Sequence, residues 1–486
     1  MVAVSRHLRF AVVGAGISGI LAVIKLREAG FRDIVVFEKA HRLGGTWQAN
    51  TYPGIACDVP SHVYSYSFAP NPDWNQKFSE GAEILDYLER VAREHEVLPH
   101  IRFNVEVQRL EFVDSGWTLT TDTGETWRAD VVIAATGVLH HPAVPPFQGM
   151  DSFEGAIFHS SQWNHEVSVD DARVALVGTG STAVQIAAAV APRAAELVIF
   201  QRTPQWILPL DNEPYDDDLH ARWRENPDEM AAIRHELERI GTSVSNAVVD
   251  ADSRLMQKIE ARCREYLDTS VADLALREKL RPDYRPACKR LVFSSNFYTT
   301  VQRPNVFLET NTVGSIEPKG IRTSSGAVHE VDVIILATGF EVDRFTRPIE
   351  VVGEGGLRLD DAWAERPTAY LAVSVPSFPN LFMLNGPTGP VGNFSLIGVS
   401  ELQMGYIMLL VDELASGRCQ TLCPSPEALA RYDADRTEAA KHTIWATGCR
   451  SWYLDSRGVP TAWPWTYDRF RECMANPILD DYVRGA

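Results

Sequence analysis

Two glycine-spaced turns, and the charged residue that closes the strand after each, hold the first chemistry legible in this sequence. FAVVGAGISG places Gly14, Gly16 and Gly19 in G-x-G-x-x-G spacing, between a strand over Leu8–Val13 and an apolar-periodic helix that Gly30 stops. Gly14 permits the tight turn, Gly16 lets backbone approach a pyrophosphate, and Gly19 lets helix and strand pack closely. The free N–H groups at the helix start then face the phosphates. The next strand, DIVVFEK, ends in Glu38. An acid there accepts hydrogen bonds from ribose hydroxyls and repels a 2′-phosphate, which suits FAD or NAD and not NADP.

The second turn, ARVALVGTGSTAVQIAAAVA, gives Gly178, Gly180 and Ala183 as G-x-G-x-x-A. Its following strand, ELVIFQR, ends in Arg202 and then Thr203. A guanidinium at that position forks onto a 2′-phosphate. The exchange of acid for arginine assigns FAD to the first turn and NADPH to the second, and two such sites in one chain imply hydride transfer from NADPH to flavin. VVIAATG, ending at Gly137, and VIILATGF, ending at Phe340, are buried strands followed by small-residue turns of the kind that approach a cofactor.

These turns need two layered strand–helix units to hold them. The expected fold is α/β, with two Rossmann-like dinucleotide-binding domains and a helical insertion in the NADPH domain. The FAD domain spans 1–145 and resumes over 336–486. The NADPH domain spans 146–210 and 286–335, entered through the proline-rich link PAVPPF. Residues 211–285 are charged and helix-periodic, and read as the insertion. The 486 residues are 45% hydrophobic and 23% charged, an ordinary globular composition. A net charge of −18 argues against nucleic-acid or anionic-membrane partners. No apolar stretch is long enough to span a bilayer, and with the N-terminal sequence running directly into a strand pattern no signal peptide is expected. Seven scattered cysteines without a C-x-x-C pair signal no dithiol site and no zinc ribbon. Reduced thiols, a cytoplasmic setting and no metal are the expectation.

Between the two turns lies FEGAIFHSSQWN, with Phe153, Gly155, His159 and Trp163 in F-x-G-x-x-x-H-x-x-x-W spacing. This resembles the fingerprint of type I Baeyer–Villiger monooxygenases. GGTWQANTYPGIACD, from Gly44 to Asp58, and ACKRLVF, with Lys289 and Arg290, are similar to the family's other segments, as are GTGSTA, FQRTP, LATGF and SWY. One departure is Asn164, where the family usually has Pro or Asp; asparagine is also a turn residue.

The resemblance implies an enzyme that uses NADPH-reduced FAD and O2, through a flavin C4a-peroxide, to insert oxygen beside a ketone carbonyl and release an ester or lactone. The alternative is a related flavin enzyme that oxygenates nitrogen or sulfur. The resemblance makes Arg290 the fixed cation beside the flavin and Asp58 the partner that orients it. It implies FAD contacts at Gly14, Gly16, Ser18, Gly19, Glu38, Lys39, Gly45, Trp47, Asp58, Tyr64, Val107, Thr136 and Gly137. It implies NADP contacts at Gly178, Thr179, Gly180, Ser181, Thr182, Gln185, Arg202, Thr203, Lys289, Arg290, Thr338 and Gly339. His159, Phe153 and Trp163 read as domain-linker residues rather than catalytic ones. Trp47 reads equally as a flavin cover or a core residue, and Trp445, Trp452 and Tyr453 as a pocket lining or an aromatic core. The glycines of the loop 385–396 suggest backbone pressed against cofactor or substrate. Oligomeric state and the particular ketone are left open.

Overall fold

A computed structural model describes residues 7–390 and 394–485; of the loop 385–396, residues 391–393 lie outside the described residues. The chain is α/β, built on two five-stranded parallel sheets. The first runs Leu381–Met383, Val131–Ala134, Phe10–Val13, Ile34–Glu38, Ile101–Phe103. The second runs Val306–Glu309, Glu196–Phe200, Arg173–Val177, Val333–Leu336, Ala156–His159. Each glycine turn follows the central strand of its sheet, with a helix directly behind it, Ile17–Glu28 or Ser181–Val190.

Period-two alternation explains why the central strands read as unbroken apolar runs: both faces of each sheet are covered. Phe10 and Val12 join a core made with the helices Ile17–Glu28 and Leu396–Ala415. Ala11 and Val13 face the opposite way, into a core with Leu110, Trp117 and Val351. That second core belongs to a small sheet of Val107–Val113, Gly116–Thr121, Thr126–Ala129 and Glu350–Val352. In the second sheet Val174 and Leu176 face the helical side. Ala175 and Val177 face Ile316 and Ile321 of the three-stranded sheet Val313–Glu317, Gly320–Thr323, Val328–Glu330.

Between residues 211 and 285 the chain forms four helices, Asp217–Glu225, Pro227–Val248, Arg254–Ser270 and Leu274–Leu280. Each is started by a side chain that accepts a backbone N–H: Asp216, Asn226, Ser253 and Asp273. Met256, Ile259, Cys263 and Leu267 insert into the core of the second sheet. Among the described residues no helix is long and apolar enough to cross a membrane.

The expectation of wholly reduced thiols is corrected. Cys288 and Cys449 form a disulfide across 161 residues of sequence, with their Cα atoms 6.1 Å apart. Their spacing carries no local signature, because the fold alone brings them together. Cys57, Cys263, Cys419, Cys423 and Cys473 are not in disulfides.

Candidate functional site

The glycines define two open cradles. At Gly14, φ is +101° and an added Cβ would sit 2.6 Å from the Ala135 carbonyl oxygen; at Gly19 it would sit 1.9 Å from the Gly14 oxygen. Both are closed by protein backbone. At Gly16 the neighbour is the Gly45 backbone, 3.4 Å away. At Gly137, Gly180 and Gly339 an added Cβ meets no protein atom within 4 Å. These three backbones face open space at the ends of the sheets, which is where a bound dinucleotide fits in this topology.

Beside the first cradle, Glu38 is 8% exposed. One carboxylate oxygen accepts the Ala15 N–H at 2.7 Å and the other the Ala40 N–H at 2.8 Å. Each oxygen keeps a second lone-pair direction, so the anion is held in place while still able to accept a hydroxyl. Ser18, in the first helical turn, hydrogen-bonds Ser400 at 2.9 Å and accepts from the Asn385 amide at 3.2 Å. Lys39 is exposed, Thr136 half-buried and Gly137 exposed. Val107 is buried in the core of the small sheet.

Trp47 lies in the short helix Thr46–Ala49 that follows Gly45, and only 7% of it is exposed. Its indole N–H donates to the Tyr64 hydroxyl at 3.3 Å, with the two rings edge-on. Burial pushes the Tyr64 phenol well above its ordinary range.

One terminal nitrogen of Arg290 donates to both oxygens of Asp58, at 2.8 and 2.7 Å. The guanidinium also hydrogen-bonds Tyr453. Asp58 raises the Arg290 pKa beyond that of free arginine, against an opposing effect of burial. Even so, the Arg290 side chain retains 34% exposure.

Lys289, the preceding residue, faces elsewhere. With Arg202, Thr203, Tyr284 and Arg450 it lines a cavity of about 620 Å³. Its ammonium sits 4.7 Å from the centre of the Tyr284 ring. Burial lowers its pKa, and the nearby Arg202 adds to the effect. Thr179 and Thr338 donate their hydroxyls to the Thr203 and Ala143 carbonyls, at 2.8 and 2.6 Å. Ser181 and Thr182 are half-buried in the first helical turn. The Gln185 amide is taken up by the first unit: it accepts from the Tyr52 hydroxyl at 2.9 Å and donates to the Ala56 carbonyl at 3.0 Å.

His159 ends the edge strand Ala156–His159. Its Nδ1 accepts the Ser161 N–H at 3.1 Å, which leaves Nε2 to donate to the Gly339 carbonyl at 3.1 Å. Burial lowers its pKa. At Gly155 an added Cβ would lie 2.2 Å from the Asp332 oxygen and 2.8 Å from the Phe153 ring. Trp163 packs edge-on against Phe158 at 5.2 Å. The Asn164 side chain accepts the Glu166 N–H at 3.0 Å, forming the turn that its residue type suggests.

Trp445 is buried in the core of the second sheet, and the Trp452 ring lies tilted beside Tyr453 with ring centres 4.1 Å apart. Sequence reasoning did not single out Tyr453 as a partner of Arg290, nor Arg450 as a wall of the cavity. Both sit in a tail segment that meets the site only through the tertiary fold. Among the described residues no group of three or more His, Cys, Asp or Glu side chains is arranged to hold a metal.

Residues 7–349 match the family model described as flavin-binding monooxygenase-like. A Baeyer–Villiger monooxygenase of Streptomyces coelicolor is 38% identical over 484 residues, covering 99% of this chain and 93% of that protein. A monooxygenase of Mycobacterium tuberculosis is 42% identical over 472 residues, covering 97% and 95% respectively. The crystal structure of cyclohexanone monooxygenase from Rhodococcus sp. Phi1 bound to NADP⁺ superposes with a TM-score of 0.88 at 28% identity, covering 99% of each chain.

Proposed function

We propose that this chain, which belongs to the flavin-binding monooxygenase-like family, is a Baeyer–Villiger monooxygenase. It uses NADPH, FAD and O2 to insert one oxygen atom beside the carbonyl of a small-molecule ketone, giving an ester or lactone. Its FAD unit is formed by residues 1–145 and 336–486, and its NADPH unit by 146–335 with the insertion 211–285. Gly14, Gly16, Ser18, Gly45 and Glu38 hold FAD. Gly178, Gly180, Arg202, Thr203 and Lys289 hold NADPH. The open glycine cradles, the buried Glu38 and the cation-lined cavity support this distribution.

The observation that carries the reading is the partly exposed Arg290–Asp58 pair. Once reduced by NADPH, the bound flavin supplies activated dioxygen for attack on the ketone. The chain's own task is to hold a positive charge where negative charge develops and to keep water away. An arginine suits this because it cannot lose its proton under the working conditions. Asp58 fixes the direction of the guanidinium, so no reorganisation is needed when the ketone oxygen becomes anionic. Trp47 and Tyr64 exclude water on one side. His159 ties the linker strand to the Gly339 turn, a positioning role that leaves the linker free to move as a unit.

Arg290→Ala tests the reading directly. Losing one oxyanion-stabilising donor costs about 100- to 1000-fold in kcat. Ester formation from a ketone panel under isotopically labelled O2 is expected to fall by that factor, while NADPH oxidation continues. Unchanged ester yield in Arg290→Ala would overturn the assignment. Persisting sulfide or amine oxygenation with no ketone product in the unmodified enzyme would favour the heteroatom reaction instead.

A further inference from the structure

The cavity at the second glycine turn holds more positive charge than Arg202 and Lys289 supply. Arg450 reaches it from the tail, and Lys279 from the last insertion helix. Arg281, also in the wall, is paired with Asp268 at 2.6 Å. Arg202, Lys289 and Arg450 form no ion pair among the described residues, and Asp283 is the one acid in the cavity wall. This concentration of unpaired cations occurs in a chain whose net charge is −18. Like charges confined to one cavity repel, and a dianion is the ligand that relieves them.

The tail is held there covalently. Cys449 immediately precedes Arg450, and Cys288 immediately precedes Lys289; the disulfide sets their Cα atoms 6.1 Å apart. Lys289 and Arg450 are therefore brought to one cavity from two distant parts of the chain. We propose that Arg450 is a third ligand of the NADPH 2′-phosphate, set in place by the Cys288–Cys449 bond, and that it contributes to the preference for NADPH over NADH. The proposal rests on the reading of this cavity as the 2′-phosphate site. It adds a specificity residue supplied by the tail, the same segment whose Tyr453 contacts Arg290.

The test is calorimetric binding of 2′,5′-ADP and of 5′-AMP to the FAD-loaded enzyme, comparing the unmodified protein with Arg450→Gln, Arg202→Gln and Cys449→Ser. Arg450→Gln is expected to weaken 2′,5′-ADP about tenfold and to leave 5′-AMP binding unchanged, the unchanged arm showing that the site still folds. In steady state the KM for NADPH rises by a similar factor, while kcat and the KM for NADH hold. Arg450→Lys restores part of the loss, and Cys449→Ser shows a smaller weakening confined to 2′,5′-ADP. If Arg202→Gln weakens 2′,5′-ADP and Arg450→Gln does not, the proposal falls and the reading of the cavity stands. If neither variant changes 2′,5′-ADP binding, both fall together.

Discussion

Two glycines of the second turn, two residues apart, do different work. Gly178 has φ of +128°, and an added Cβ would lie 2.3 Å from the Ala337 carbonyl oxygen. Gly180 has ordinary extended backbone and no protein atom within 4 Å of its missing Cβ. A side chain at Gly178 therefore strains the fold, whereas one at Gly180 enters only the space read as the pyrophosphate site. Gly178→Ala is expected to destabilise the protein by about 1–3 kcal/mol or more, seen as a lower thermal midpoint. Gly180→Ala keeps its midpoint. Overpacking costs about 1–3 kcal/mol, so its affinity for NADPH drops about ten- to hundredfold. Equal NADPH affinity in Gly180→Ala and the unmodified enzyme would remove the second turn from nucleotide binding.

At the scale of elements, the insertion helices join the two sheet units. Their inner face packs on the second sheet, and their outer residues grip the first unit. Arg234 donates to the His62 and Ser65 carbonyls at 3.0 and 3.1 Å, and Arg224 pairs with Asp73 at 2.5 Å. His62 sits under this seam, edge-on to Trp223 and beside Tyr215, with its Nε2 buried and unpaired. Burial, aided by Arg234, lowers its pKa to about 4. A free imidazole titrates near 6.5, so the unfolded chain takes up this proton first. Stability is then complete above about pH 6.5 and is lost as pH falls toward 4, by up to roughly 3 kcal/mol. His62→Phe keeps the ring contacts and removes the charge. Its urea midpoint is expected to fall less than that of the unmodified protein between pH 7.5 and 5; equal falls would clear His62 of the effect. The insertion was legible as charged, helix-periodic sequence, and the glycine turns were legible because their geometry is local. The seam was not, since His62 and Trp223 meet only through tertiary packing, and nothing near Cys288 or Cys449 announces their bond. The small mixed sheet around Trp117 passed unnoticed for the same reason: its short strands signal little until paired.

Across the whole molecule, the Arg290–Asp58 pair is itself a contact between units, for Asp58 belongs to the first unit and Arg290 to the second. Its geometry persists only while the two stay in register. Gln185 is a principal fastening: Tyr52 and Ala56 of the first unit both bond its amide, and at Gly54 an added Cβ would lie 2.9 Å from its carbonyl oxygen. Gln185→Leu fills similar space but strands a hydroxyl and a carbonyl, each costing about 1–3 kcal/mol when buried without a partner. The sheets and the cation-lined cavity are untouched, so NADPH continues to bind and to be consumed. What suffers is the placement of Arg290, and a shift of about 1 Å at a reacting centre costs about 100-fold in rate. The ester formed per NADPH consumed is expected to fall severalfold, with hydrogen peroxide making up the difference and the KM for NADPH little changed. Comparing ester, peroxide and NADPH in one reaction measures this coupling. A Gln185→Leu enzyme that turned NADPH into ester as completely as the unmodified protein would mean that the ion pair sets its own geometry, without support from the seam between the units.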